Sequence, residues 1–335
     1  MPVLSVGDMS QHFLSLKHTG SVKSDLAKLG QSLASGQVSD VTQHLSGQTQ
    51  RLAGIDHSLS IVEAYQSVAT ETNARFDAMQ MTLNRFETLN SSTADLLLQM
   101  QPETPDAQQR AASENAKQQF VDAIGALNLS IGGKIQFSGA ETQTNATEPA
   151  ETILDDIIAH IGSATDATSI RQAVQDWFND PSGGFVTNNY LGATGDPVSR
   201  RIAPDTDVEF GLRADSPEIR STLASMALGA IVGGLTSSID RATSGQLLQD
   251  AGAGAIESGA SIAKMQAQLG FQQERVASSM SHNAAEKAAL ATARNEAVEA
   301  DPYETATRLQ ATQRQLEMQF TITARLANLS LASYI

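Results

Sequence analysis

Cysteine is absent from this 335-residue chain, which removes disulfide frameworks, thiolate metal sites and thiol nucleophiles from consideration. Aromatic residues are scarce, at 4% of the chain with a single tryptophan, whereas alanine is abundant. A sequence that is 41% hydrophobic yet aromatic-poor suits long helices packed closely side by side better than a thick globular interior. Positive charge is never clustered: the longest basic run is Arg200-Arg201, and the net charge is −15. That balance argues against nucleic acid as a partner and against an anionic membrane surface. Membrane insertion is not expected either, because no segment approaches the roughly 18 apolar residues of a span. The most apolar stretch, Met226 to Leu235, contains Gly229, Gly233 and Gly234. The opening MPVLSVGDMSQHFLSLK has no basic start followed by an unbroken apolar run, so a Sec-type leader is not expected.

Catalytic signatures are also missing. The six histidines are scattered, with no HExxH and no repeated metal spacing. Asp156 and His160 stand at i, i+4 and could share a helix face, but two ligands without a third are an ordinary feature of solvated helices. Gly229-Ala-Ile-Val-Gly-Gly has the glycines of a phosphate loop without a preceding strand or a following Lys-Ser/Thr. No G-x-S-x-G elbow occurs, and Trp177 reads as a core residue. The expectation is a protein that is not an enzyme, with no catalytic residue, no cofactor and no metal.

What the chain does have is an uneven charge distribution. In residues 1–60, Asp8, Asp25, Asp40 and Asp56 cancel Lys17, Lys23, Lys28 and Arg51. The last 34 residues hold Glu304 and Glu317 against Arg308, Arg314 and Arg325, a net of +1, which leaves −16 for the remainder. Charge-poor, apolar ends flanking an acidic middle suggest termini that serve as an assembly surface.

Periodicity supplies the architecture. The serine-rich first 50 residues show helical spacing at Leu26, Leu29 and Leu33 but poor propensity, so this end needs a partner to fold. From about Leu52, Ile55, Val62, Ala69, Phe76 and Leu83 recur every seven residues, the seam of one long helix that Pro102 and Pro105 stop. A second helix over about 106–129 is expected to end at Gly132-Gly133, followed by a short strand at Lys134–Gly139. Helices are predicted from Pro149 and from a Ser169/Gln172 capping box, the second stopping before Pro181. Alternation at Val198, Arg200 and Ile202, a Pro204-Asp205 turn, then Val208, Phe210 and Leu212 predict a β-hairpin. Ser216-Pro217-Glu218 starts another helix. Ile262, Leu269, Val276, Asn283 and Leu290 fall at sevens, and after Asp301-Pro302 an apolar face runs through Leu309, Leu316, Phe320, Ala327, Leu331 and Tyr334.

The fold class is therefore mainly α: long antiparallel helices forming a coiled-coil-like rod from both chain ends, with a small α/β insertion containing a β-hairpin. The expected division is a terminal helical assembly domain (1–50 with 302–335), a long-helix rod (51–147 with 216–301) and an outer insertion (148–215). Leu26, Leu29 and Leu33, with Leu309, Leu316, Phe320, Ala327, Leu331 and Tyr334, form the expected subunit interface. Ile55, Val62, Phe76, Leu83, Ile262, Leu269, Val276 and Leu290 form the expected rod packing.

Leu269-Gly270-Phe271-Gln272-Gln273-Glu274-Arg275, the later Asn283, Glu299-Ala300-Asp301-Pro302 and the Leu329-Ser330-Leu331 ending resemble the flagellin superfamily. Leu127-Asn128, Gly133-Lys134-Ile135-Gln136-Phe137-Ser138-Gly139 and Tyr190-Leu191-Gly192 are similar to patterns of its hook–filament junction branch, and Leu33-Ala34-Ser35-Gly36 resembles the superfamily's close of the first helix. The resemblance implies a secreted structural subunit of the bacterial flagellum, exported by the flagellar type III machinery with a chaperone, whose ends pair as helices on assembly. It also implies a homo-oligomeric ring between hook-associated protein 1 and flagellin, with Leu26, Leu29 and Leu33 set against Leu316, Phe320 and Tyr334. Filament flagellin is the nearest alternative, and a secreted effector or adhesin a more distant one.

Overall fold

A computed structural model describes the backbone of residues 6–45, 47 and 49–332, and the side chains of residues 10, 13–45, 47 and 49–325. Helix accounts for 74% of the chain, and the described strands form two small antiparallel hairpins, the mainly-α fold read from periodicity. In chain order the elements are α1 (Val6–Ser35), α2 (Val41–His44), α3 (Gln50–Leu97), α4 (Asp106–Leu127), β1 (Ser130–Ile131), β2 (Lys134–Ile135), α5 (Ala150–Ile161) and α6 (Ala167–Asn179). A π-helical turn at Phe185–Asn189 follows, then β3 (Val198–Ala203), β4 (Thr206–Phe210), α7 (Pro217–Leu235), α8 (Arg241–Val298) and α9 (Pro302–Ala332). They form two compact units: Met1–Glu63 with Ala284–Ile335, and Ala64–Asn283.

In the larger unit the side chains at the seven-residue spacing of α3 and α8 face inward. Ala69, Phe76 and Leu83 on α3 and Ile262, Leu269 and Val276 on α8 are all buried. Polar bridges fix the antiparallel register: Gln273 Nε2 donates to Asp77 Oδ1 at 2.8 Å, Gln266 Nε2 to Asn84 Oδ1 at 3.0 Å, and Asn90 Nδ2 to the Ala255 carbonyl at 2.6 Å. The polar residue in the α8 stripe has a specific task. Asn283 is 1% exposed, and its Nδ2 donates to the Ile202 carbonyl at 3.0 Å, clipping the β3–β4 hairpin to the helix.

Around that pair, α7 packs against α4 and α6, and Gly229 allows the approach. A Cβ there would stand 2.5 Å from Leu97 Cδ1, so these glycines are helix-packing residues within α7 and not a phosphate loop. Ser113 Oγ donates to the Gly229 carbonyl at 2.7 Å, which adds a hydrogen bond where the helices come closest. Arg220 of α7 reaches the C-terminal end of α6, its Nη1 donating to the carbonyls of Phe178 at 2.9 Å and Asn179 at 3.1 Å. Trp177 is buried edge-on against Phe178, the core role expected of it.

Two boundaries differ from the sequence reading. Gly132 and Gly133, with φ of 61° and 74°, do not terminate α4, which ends at Leu127 with Asn128 as its cap. They form the two-residue turn of the β1–β2 hairpin, where both central positions need positive φ. Helix α6 begins at Ala167 and not at Ser169, because Asp166 is the better cap: its carboxylate accepts from the Ser169 N–H at 2.9 Å and places negative charge at the positive helix end. Asp240 caps α8 likewise, accepting from the Thr243 N–H at 2.7 Å.

These caps set an acid dependence. The backbone hydrogen bond from Ser169 holds the Asp166 carboxyl below its ordinary value, and that from Thr243 does the same for Asp240. A depressed folded-state pKa stabilises fully above the unfolded value and is lost as pH falls through the folded one. Thermal melts followed by circular dichroism should therefore shift down between pH 6 and pH 3. The shift should narrow in the Asp166→Asn/Asp240→Asn double variant, which caps without titrating.

Candidate assembly surface

In the unit that holds both chain ends, α1 packs against α9. Their seam is thin: among the described side chains α1 buries only Val22 and Ser32, and α9 only Thr305. Leu26, Leu29, Leu309 and Leu316 are half-buried, as the apolar spacing requires of one face of a helical pair. Leu33 and Phe320 remain 41% and 51% exposed, and Lys23 Nζ stands 5.5 Å from the Phe320 ring centroid. Ala327, Leu331 and Tyr334 lie outside the described side chains.

A second apolar set escaped the sequence reading. Phe13, Leu14 and Leu16 on α1, with Met318 and Ile322 on α9, are each at least half exposed. Their signal was present in the sequence as large apolar residues off the chosen stripe, which a two-helix seam has no room to cover. Each such side chain gains about 1.5–3 kcal/mol when a partner buries it, so the surface is built for further packing.

The start of this pair is pinned by main-chain hydrogen bonds. Helix α1 ends at Ser35, and Gly36 turns away with φ of 71°, in the left-handed region where glycine is favoured. The Val38 N–H then donates to the Val298 carbonyl and the Ala300 N–H to the Gly36 carbonyl, both at 2.9 Å. Next, Asp301 caps α9, accepting from the Tyr303 N–H at 2.8 Å with Pro302 in the first turn. The Asp301-Pro302 bend read from sequence is thus a corner that joins the chain's two ends.

In the same unit Val62 is buried and Ile55 and Leu290 are half-buried, while Arg294 Nε donates to Asp56 Oδ1 at 2.7 Å and Lys287 lies 3.0 Å from Glu63. Asp156 accepts from Asn189 Nδ2 at 3.0 Å while His160 is exposed, and no cluster of three metal-ligating side chains occurs among the described residues. No helix among them is long and apolar enough to cross a membrane.

Residues 254–335, which contain most of α8 and all of α9, match the bacterial flagellin C-terminal helical region. That similarity covers about a quarter of the chain. No protein of curated function matches it in sequence. A solved structure from Vibrio parahaemolyticus, provisionally assigned as a flagellar hook-associated protein, superposes with a TM-score of 0.53 at 14% identity, over 75% of this chain and 99% of its own. At that identity the likeness speaks for the fold. In the flagellin-type segment the corner at Asp301, the half-buried leucines and the exposed Phe320 all fall on one continuous stretch.

The junction-like motif of the sequence is a compact knot. Asn128 exchanges hydrogen bonds with Thr147, its Oδ1 accepting from the Thr147 N–H at 2.9 Å and its Nδ2 donating to the Thr147 carbonyl at 3.0 Å. Phe137 is buried, and its carbonyl accepts from the Ala214 N–H at 2.9 Å. Tyr190 is buried too, its hydroxyl donating to the Ala193 carbonyl at 3.1 Å, and burial raises its pKa above the usual phenol value.

Proposed function

We propose that this protein is a secreted structural subunit of the bacterial flagellum, one that forms a homo-oligomeric ring at the hook–filament junction in the role of hook-associated protein 3. The observation that carries the reading is the α1–α9 pair. Its C-terminal partner is flagellin-type, and it leaves large apolar side chains on both helices uncovered. In this reading neighbouring copies, hook-associated protein 1 and flagellin cover those side chains. Export through the flagellar type III route with a chaperone accounts for an end region of low net charge and thin packing.

Two features favour the junction over the filament. Leu127-Asn128 and the Gly133–Gly139 segment resemble the junction branch, and the Vibrio parahaemolyticus structure of like fold bears a hook-associated assignment. A strain lacking this protein should keep its hooks and shed unpolymerised flagellin into the medium. Filaments of normal length on that strain would overturn the junction role. Long homopolymers grown from purified protein on its own seeds would assign the chain to the filament instead.

A further inference from the structure

The larger unit carries a second surface of a different kind. Glu71 and Arg75 on α3, Lys134 on β2 and Arg200 on β3 converge, with Lys134 Nζ 2.6 Å from Glu71 Oε1 and Arg200 Nη1 3.9 Å from Glu71 Oε2. Arg75 is only 7% exposed, its Nε donates to Gln136 Oε1 at 3.1 Å, and its guanidinium carbon lies 4.1 Å from the Phe210 ring centroid. No carboxylate among the described residues stands within ion-pair distance of Arg75. Three cations therefore share one carboxylate. Desolvation, and after it the nearby Arg200, weaken the hold of Arg75 on its proton, the mark of a cation short of negative charge.

Beside the cations lies apolar ground. Phe210, which stacks under Arg75, also floors a cleft of about 360 Å³ with Phe76, Met79 and Leu269; Glu209 is the one charged residue in its lining, and Phe271 stands 73% exposed. An apolar centre with a charged margin is the anatomy of a protein interface.

We propose that this face, formed by the β3–β4 hairpin and the adjoining turns of α3 and α8, docks an acidic surface of a second copy, a carboxylate of which seats on Arg75, Lys134 and Arg200. The choice of occupant follows from charge. The ends of the chain are neutral or slightly basic, so the body of every copy carries a net −16. Exposed acids such as Glu151 and Asp155 on α5 have no intrachain ion pair among the described residues. Three cations gathered around Glu71, on a body that is otherwise acidic, give a carboxylate of another copy a site of complementary charge. The proposal rests on the reading of the protein as a ring-forming subunit and adds a place and a chemistry for one of its contacts.

Sedimentation velocity of the purified full-length chain tests it, since the screening length falls from about 10 Å at 0.1 M salt to about 3 Å at 1 M. The native chain should self-associate at low salt and dissociate at high salt. Arg200→Glu should raise the dissociation constant at least tenfold and abolish the salt dependence, while Arg200→Gln should have a smaller effect of the same sign. Position 200 is half-buried on β3, so unchanged circular dichroism must certify the fold of each variant. Association that persists in 1 M salt and ignores Arg200→Glu belongs to the α1–α9 face and overturns the proposal, as does a native chain that stays monomeric at low salt. The shed-flagellin phenotype judges the junction role separately.

Discussion

Phe76→Ala should cost the larger unit about 3–5 kcal/mol, the range for removing a buried phenylalanine, and lower its thermal midpoint accordingly. Phe76 is 1% exposed at the centre of the α3 stripe, and its ring lies 5.0 Å from that of Phe210 at the end of β4. Truncation opens a cavity on the α3–α8 seam and removes the aromatic floor on which the hairpin rests, so the loss includes an aromatic pair as well as buried area. Urea unfolding followed by circular dichroism reads the difference. Met81→Ala on the same helix, at a side chain 62% exposed, should change it by less than about 0.5 kcal/mol. Equal effects at the two positions would refute the seam as the source of stability.

Arg220→Met should destabilise by about 3 kcal/mol although it keeps the chain's bulk, because hydrogen bonds to a charged group are worth about 1.5–3 kcal/mol each. The guanidinium is 8% exposed and satisfies the carbonyls of Phe178 and Asn179, which the end of α6 leaves without intrahelical partners. Positive charge also suits the negative end of that helix. Removing it strands buried acceptors beside Trp177 and Phe185, so intrinsic tryptophan fluorescence should report looser packing in the native state. Arg220→Lys retains charge but lacks the planar fork, and should recover only part of the loss.

Long-range order of this chain is legible where one signal repeats many times. The seven-residue recurrence through Phe76 and Leu269 identifies both long helices because a stripe at that spacing can bury itself only against another helix. Asp301-Pro302 is readable for a similar reason: a cap and a proline mark the same corner. Legibility fails where the deciding interaction is short or nonlocal. Strands β1 and β2 are two residues each, too brief to show a period, so the glycines between them looked like a helix end. Asp166 and Ser169 are both good caps, and only the helix itself selects the first. The cluster of Glu71, Arg75, Lys134 and Arg200 is drawn from three distant stretches of chain, so no spacing rule could have gathered it. Apolar residues off the stripe, such as Phe13 and Ile322, were visible as residues but not as a surface, since their exposure depends on how little one thin helical pair can shelter.

The fastening of Gly36 and Val38 to Val298 and Ala300 involves peptide groups and no side chain. Those bonds accept any side chain, but proline at 38 or 300 deletes a donor, a side chain at Gly36 is strained at φ of 71°, and Val298 and Ala300 are themselves buried. Head and tail thus meet at a latch made of peptide groups yet guarded by one glycine and two sheltered aliphatic side chains.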